Sequence, residues 1–556
     1  MKISPEYRSK LSAVMAALKK ERLPWWHVWR ELAQYYIPKR YIWLTTPNER
    51  KNYVSKNVDI LDSTGTNAGR ILAAGMMNGI TSPSRPWFKL RIPSFEDDLD
   101  QDARAWLDEC ERRMLRVLAE SNFYNALAVM YLDLVFFGTA AVLIYEDHLS
   151  VIRCYNLALG EFYLSQDDRL AVNRVAREFP QTVEQLVSRW GVENVSEAVQ
   201  VKYKAGGANL LEQVMICHII EPNTGYNYGV PKHFAFREIY YETSSVESDT
   251  VLGANGFHSV PGIFPRWEIT GNDSYGTGPG LDNLGDTIQL QVETRRKAQS
   301  LDYMIRPPTI LDQILQNQQT SLLPGGKIYV PSAAQIGAKP VYQIAPPIAE
   351  ISQDLRDIQI RIQNGFHNDL FQMISQLDTV RSATEIDARR EEKLVRLGPV
   401  LERFHNEALN PALNRTFEAM QRQNLLPPAP DSIKNQEIEI QYVSILAAAQ
   451  TAVGVAPTER LLQLVGNMSA VWQDLADLPD VEELVRDYAR DIGVKAKGLR
   501  SKDAVDKIRQ DRAQQADMQQ AAAAAPAVQQ AAQAGKLLSE TQVGGGANAL
   551  QQLLGG

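Results

Sequence analysis

Cysteine is scarce in this chain: three in 556 residues, Cys110, Cys154 and Cys217, an odd number with no CxxC spacing. That argues against a disulfide framework and for free buried thiols in a reducing compartment. Histidine is nearly as sparse. The seven, at 27, 148, 218, 233, 258, 367 and 405, form no HExxH and no zinc-ligand spacing; Cys217-His218 with His233 comes nearest to a metal set. No metal and no cofactor are expected. No apolar run reaches membrane-spanning length, and Met1-Lys-Ile-Ser-Pro-Glu6 lacks a signal-peptide core. The expected place of synthesis is the cytoplasm, with the product kept there or entering a particle assembled there, without a membrane partner.

Catalytic patterns are missing as well. The glycine-rich run Gly271-Asn-Asp-Ser-Tyr-Gly276-Thr-Gly278-Pro-Gly280 opens a helix, and helix N-termini attract phosphate. It lacks the lysine followed by Ser or Thr that a nucleotide-binding loop needs, so a tight turn is expected. Gly325-Gly-Lys327 is followed by Ile328, with Ser321 where the first glycine should stand. No GxSxG elbow occurs, and the acid pairs Asp97-Asp98 and Glu391-Glu392 read as solvated faces. An enzyme is not expected. Nor does either charge sign dominate: the net charge is −8, which excludes a polyanion binder held by a broadly basic surface. Contact with nucleic acid must be local or weak.

What remains is a folded chain, 44% apolar and 22% charged, long enough for several cores. Its organising stretch runs from Ala349 to Gln423. Ile351, Leu355, Ile358, Ile362, Phe366 and Leu370 recur at helical spacing. After Ile374-Ser-Gln-Leu-Asp-Thr-Val-Arg381, Ser382 and Glu385 have capping-box spacing, which starts a second helix near Ala383. Ile386, Leu394, Leu397, Leu401, Phe404, Leu409, Leu413, Phe417 and Met420 carry it to about Gln423, roughly 60 Å at 1.5 Å per residue. Gly398-Pro399 should kink it. On this stretch alone, a helical hairpin inside an ordinary core remains an equal reading.

Upstream, residues 5–36 read as helix, with Leu11, Val14, Ala17 and Leu18 and then Trp25, Trp26, Trp29, Tyr35 and Tyr36. The aromatics suit either packing on their own domain or a partner anchor. Next comes Asp62-Ser-Thr-Gly65 through Ala73-Ala-Gly75, where Gly65, Ala68, Gly69, Ala73 and Gly75 allow close helix approach, followed by Thr81-Ser-Pro83 and Arg85-Pro-Trp87. From Asp100 to Phe137 the pattern is helical, with Trp106, Met114, Leu115, Leu118, Leu127, Met130 and Leu134. Strands are expected at 141–145, 151–155, 162–164, 172–175, 214–220 and 234–241. The helices 281–303 and 349–371 match in length and flank a small strand-rich insert, a stalk with a tip. Past Asp431 helices alternate with short breaks to about Arg512, before an Ala/Gln-rich tail with Gly544-Gly-Gly546 that is either disordered or a helix ordered only by neighbouring subunits.

The run from Asp62 to Trp87 closely resembles the portal, or head-to-tail connector, proteins of short-tailed bacteriophages, and the order of elements over roughly residues 5–430 is compatible with them. The resemblance implies an α+β, predominantly helical portal-type subunit with wing, stem, clip and helical crown, assembling into a ring of, by inference, twelve. It assigns 1–270 to N-terminal helices and an α/β wing, 271–303 to the first stem helix, 304–347 to the clip and 348–373 to the second stem helix. The tunnel loop is 374–382, the long kinked helix 383–430, the crown 431–512 and the tail 513–556.

On this resemblance the function is passage of double-stranded DNA through one capsid vertex, in packaging and in ejection. The implied partners are further copies of the chain, the terminase large subunit, the major capsid and scaffolding proteins and a tail adaptor. The implied location is the virion. In the loop, Ser375, Gln376, Asp378, Thr379 and Arg381 face DNA at the narrowest point, and Leu377 and Val380 within it pack against neighbouring loops. Arg295, Arg296 and Lys297 offer weak phosphate contacts or pair with acids of an adjacent subunit, and Lys327 is a motor or tail contact. A scaffolding-type assembly factor and a subunit of the packaging motor are the alternatives.

Overall fold

The first element is a 31-residue helix, α1 (Pro5–Tyr35), close to the expected span. The computed structural model describes residues 5–44, 60–92, 101–225, 234–244, 251–312, 327–330, 339–340, 347–369, 397–433 and 438–443, with isolated pieces between 484 and 548. Two units form, Met1–Val453 and Gly454–Gly556.

In the first unit, α1 ends in a fully buried Trp29 and Tyr36, so its tryptophan cluster is turned inward. The small-residue helix α2 (Thr64–Ile80) lies against α4 (Phe123–Phe137), which follows α3 (Gln101–Glu120). A side chain at Gly69 would overlap the Phe136 ring, which is why that position of α2 has none. All three cysteines are buried and free, as their number suggested.

Three sheets follow. Strands β2 (Val142–Asp147), β3 (Val151–Asn156) and β9 (Gly262–Ile263) form one in the order β3-β2-β9. A larger antiparallel sheet has the order β4-β5-β6-β7-β8, from Phe162–Gln166, Val172–Thr182, Gln213–Pro222, Phe236–Glu242 and Gly253–Phe257. The third pairs β1 (Phe88–Arg91) with β13 (Glu439–Tyr442). Two short helices, α5 (Val183–Trp190) and α6 (Glu197–Ala205), cover one end of the large sheet. Strand β5 runs to Thr182, well past the expected Val175, because its distal half pairs with β6 beyond the reach of β4. Pro180 is tolerated there, where β5 has only one neighbour.

The glycine-rich run is a tight passage leading into α7 (Pro279–Asp282) and then α8 (Leu284–Ile305). Gly276, Gly278 and Gly280 lie against the backbone of Phe136 and Gly138, where a Cβ would collide. Gly138 itself takes φ +71° to end α4. Beyond α8, β10 (Thr309–Asp312) pairs with β11 (Lys327–Val330) and β12 (Lys339–Pro340). Then α9 (Ile348–Gly365) returns.

Three expectations need correction. The helix expected to reach 371 or beyond ends at Gly365, followed by His367 at φ +53°, so α8 and α9 are not matched: 22 residues against 18. Past Asp431 a strand, β13, stands at the start of the stretch assigned to a helical crown, most of which lies outside the described residues. In the second unit, Gln542–Val543 pairs antiparallel with Ala547–Asn548, within the tail expected to be disordered or a helix ordered by neighbouring subunits. The long helix is described from 397 to 422, here α10, with Gly398 and Pro399 in its first described turn, so the kink expected there falls at the edge of the described residues. Its described irregularity is a π turn at His405–Leu409, just before Pro411. Proline removes one hydrogen bond and crowds the carbonyl four residues back, and the wider π turn relieves both.

Candidate functional site

The α8–α9 hairpin and its base form the most strongly constrained polar arrangement among the described residues. Three side chains of α8 and the turn before it build the base. Gln291, 3% exposed, uses its whole amide on one piece of chain: Oε1 accepts from the backbone N–H of Leu61 at 2.7 Å and of Asp62 at 2.9 Å, and Nε2 donates to the Asp62 carbonyl at 2.8 Å. One turn earlier, Thr287 donates to the Asn283 carbonyl and accepts from the Tyr36 hydroxyl at 2.9 Å. Asn283 donates to the Pro279 carbonyl and sits so close to Gly365 of α9 that no side chain fits there.

Asp62 completes the junction. Its Oδ1 accepts from the Thr64 N–H at 2.8 Å and the Thr64 hydroxyl at 2.5 Å, an Asx turn that starts α2. Its Oδ2 accepts from Gln359 Nε2 of α9 at 2.7 Å. One aspartate thus ties the start of α2 to α9, while its own backbone is gripped by α8. Beside it the apolar stripe of α9, Leu355, Ile358, Ile362 and Phe366, is buried, and Phe366 meets Tyr36 and Phe136 edge-on at 5.8 and 6.0 Å. Arg361 of α9 pairs with Asp286 of α8 at 3.1 Å on the exposed side.

On the outer face of its base, at Val292 and Ile360, and further along, the hairpin is less covered. Val292, Leu301, Met304 and Ile305 on α8 and Ile360 on α9 are exposed apolar residues. Arg295 and Arg296 are exposed and Lys297 is half-buried. Lys327 is exposed at the start of β11, in register with Thr309. Residues 374–382, with Ser375, Gln376, Leu377, Asp378, Thr379, Val380 and Arg381, lie outside the described residues, as do Ser382 and Glu385.

A second polar knot holds α10 to the body. Arg266, 1% exposed, makes a bidentate pair with Glu407 of the π turn, Nη2 to Oε1 at 2.7 Å and Nε to Oε2 at 3.2 Å, and also donates to Gln166 and the Leu170 carbonyl. Nearby, His405 stacks on Tyr442 of β13 at 4.0 Å, and burial lowers its pKa to about 4.

In the large sheet, His218 is spent on a buried charge. Its Nε2 donates to Glu238 at 2.8 Å and its Nδ1 accepts from Arg177 Nε at 2.9 Å. Because Arg177 can only donate, His218 is the neutral Nε2–H tautomer. Burial lowers its pKa to about 4, against the pull of Glu238. Burial alone would raise Glu238, but hydrogen bonds from His218, Tyr145 and Asn255 outweigh it and hold the carboxyl at about 2. Cys217, the neighbour in the strand, packs into the apolar cluster against α1, away from this network. Among the described residues no three His, Cys, Asp or Glu side chains converge as a metal set.

The resembling run therefore has a structural meaning at each of its parts. Asp62 anchors the hairpin, Gly69 admits Phe136, Thr81 bonds the Tyr131 hydroxyl at 3.1 Å, and the Trp87 indole donates to Tyr124 at 3.0 Å beside β13. Gln291, Gln359, Asn283 and Arg266 had no signal in the sequence; polar residues whose partners lie far along the chain are seen only once those partners are placed.

Residues 8–499 match the family model described as bacteriophage head to tail connecting protein. The chain is 37% identical to the portal protein of Salmonella phage epsilon15 over 541 residues, 96% of each chain. It is 36% identical to the probable portal protein of Bordetella phage BPP-1 over 530 residues, 94% of each. This chain belongs to the bacteriophage head-to-tail connector, or portal, family.

Proposed function

We propose that copies of this chain form a ring, twelve by analogy with the family, that passes double-stranded DNA through one capsid vertex in packaging and ejection. The reading rests on the family membership together with one observation: a hairpin anchored at its base by buried polar bonds but leaving Leu301, Met304 and Ile305 uncovered further along, with Val292 and Ile360 uncovered on the outer face of the base. Neighbouring copies would cover them. In this reading α8 and α9 are the stem, the β10–β12 unit is the clip, and the large sheet belongs to the wing. The terminase large subunit docks first and a tail adaptor later, with Lys327 as a contact, while capsid and scaffolding proteins surround the ring in the virion.

The mechanism is geometric and electrostatic, with no chemical step. DNA must slide, and each strong phosphate contact would be a barrier to sliding, which suits a chain of net charge −8. Ser375, Gln376, Asp378, Thr379 and Arg381 would line the narrowest point, with Leu377 and Val380 packed between adjacent loops. Arg295, Arg296 and Lys297 would touch phosphates weakly. The exposed acids Glu350, Asp354 and Asp357 on α9 favour a second reading of that triplet, ion pairing with an adjacent subunit.

The test is the protein content of mature particles together with an ATPase assay on the purified chain. Retention in the particle without ATP hydrolysis is expected. Loss from the finished particle would indicate a scaffolding factor, and hydrolysis a motor subunit.

A further inference from the structure

We propose that Asp62 is a positioning residue that fixes the direction of the α8–α9 hairpin relative to the body, through a donor–acceptor match with Gln359 that can be inverted. The inference rests on the hairpin's proposed role as the stem. Three observations carry it. The Asp62 carboxylate divides its two oxygens between α2 and α9, with Thr64 on Oδ1 and Gln359 on Oδ2. The backbone of the same residue is held on three atoms by Gln291 of α8, counting the Leu61 N–H with its own N–H and carbonyl. Both helices of the hairpin thus meet at one residue, and that residue begins the helix whose glycine face is locked onto Phe136.

The apolar contacts beside it are less directional. Phe366, Ile358 and Ile362 bury area whatever the helix rotation, within a small range, whereas hydrogen bonds to a carboxylate weaken steeply off line. Burial holds the hairpin in place; Asp62 sets its angle. In a ring, every copy must present its hairpin at the same angle for the bore to be regular.

The experiment is a charge inversion with rescue on the full chain, read by hydrogen exchange and by imaging of the rings. Gln359→Glu sets a second carboxylate against Asp62. Exchange at 355–362 and at 64–68 should accelerate about tenfold or more, the loss expected for a charge-assisted bond replaced by repulsion, and the hairpins in imaged rings should spread in orientation. The double variant Asp62→Asn/Gln359→Glu restores a donor facing an acceptor, because the amide nitrogen can turn to α9 while the amide oxygen still accepts from Thr64. It should return exchange and orientation to wild-type values. Wild-type exchange in Gln359→Glu, or no recovery in the double variant, overturns the proposal. Ring assembly is scored separately: if no variant and no wild-type protein forms rings, the ring reading fails, and exchange alone still judges the Asp62 clasp.

Discussion

At the scale of single residues, buried charged groups among the described residues are held by several hydrogen bonds at once. Arg266 and Glu407 are the clearest pair, since the arginine is 1% exposed and its remaining donors end on Gln166 and the Leu170 carbonyl. Removing one member strands a buried charge. Glu407→Gln should lower stability by about 3 kcal/mol, seen as a shift in the denaturant midpoint, and should loosen the π turn in hydrogen exchange. The histidines give a pH dependence with a definite sign. His218 and His405 both have folded pKa values near 4, below the usual 6.5, so the folded state binds fewer protons and stability falls as pH drops from about 6.5 to 4. Asp133, Glu161 and Asp282 oppose them: burial raises all three, Asp133 to about 6 against the pull of Arg40, so their contributions are greatest at low pH and are lost as pH rises through the folded values. The two histidines have the larger shifts, both to about 4 from 6.5. Thermal unfolding at pH 4.5 should come several degrees below that at pH 7, and His218→Gln should narrow the gap.

At the scale of elements, close packing of α2 on α4 depends on Gly69. Gly69→Ala should cost roughly 1–3 kcal/mol by overpacking against Phe136, and a Phe136→Leu change in the same chain should recover part of that loss, measurable as non-additive unfolding free energies. What could be read from the sequence follows the same division. The span of α1, the small-residue face of α2 and the core of most strands were legible because a strong period or an unusual composition marks them. Strand β8 was not, since Gly253-Ala-Asn-Gly-Phe257 has no alternation; Trp190 covers Gly253 and Phe234 covers Gly256, partners supplied by other segments. Strand β1 and its mate β13 are four residues each and lie some 350 positions apart. The end of α9 was overrun because the apolar spacing continues past Gly365 to Leu370, while the packing of Asn283 against Gly365 is invisible locally.

At the scale of the whole molecule, the described residues of the first unit form a helical and sheet-bearing body in which the α8–α9 hairpin is held by a polar junction. The candidate site was legible in part. The hairpin and the resembling run were found by pattern, but the junction residues that join them were not, because Gln291, Gln359 and Asn283 look like ordinary helix-surface residues until Asp62 and Gly365 are brought beside them. The uncovered apolar residues of α8 and α9 matter most here. Met304→Lys or Ile305→Lys should leave the fold of a single chain intact, by circular dichroism, while weakening self-association at least tenfold in sedimentation.

The most direct test of the central claim is the mass of the wild-type protein in solution, by light scattering at modest salt, with negative-stain images of the same fraction. A single species of about twelve copies with a central hole is the expected result. A chain that stays monomeric at every concentration tested and is absent from mature particles would contradict it.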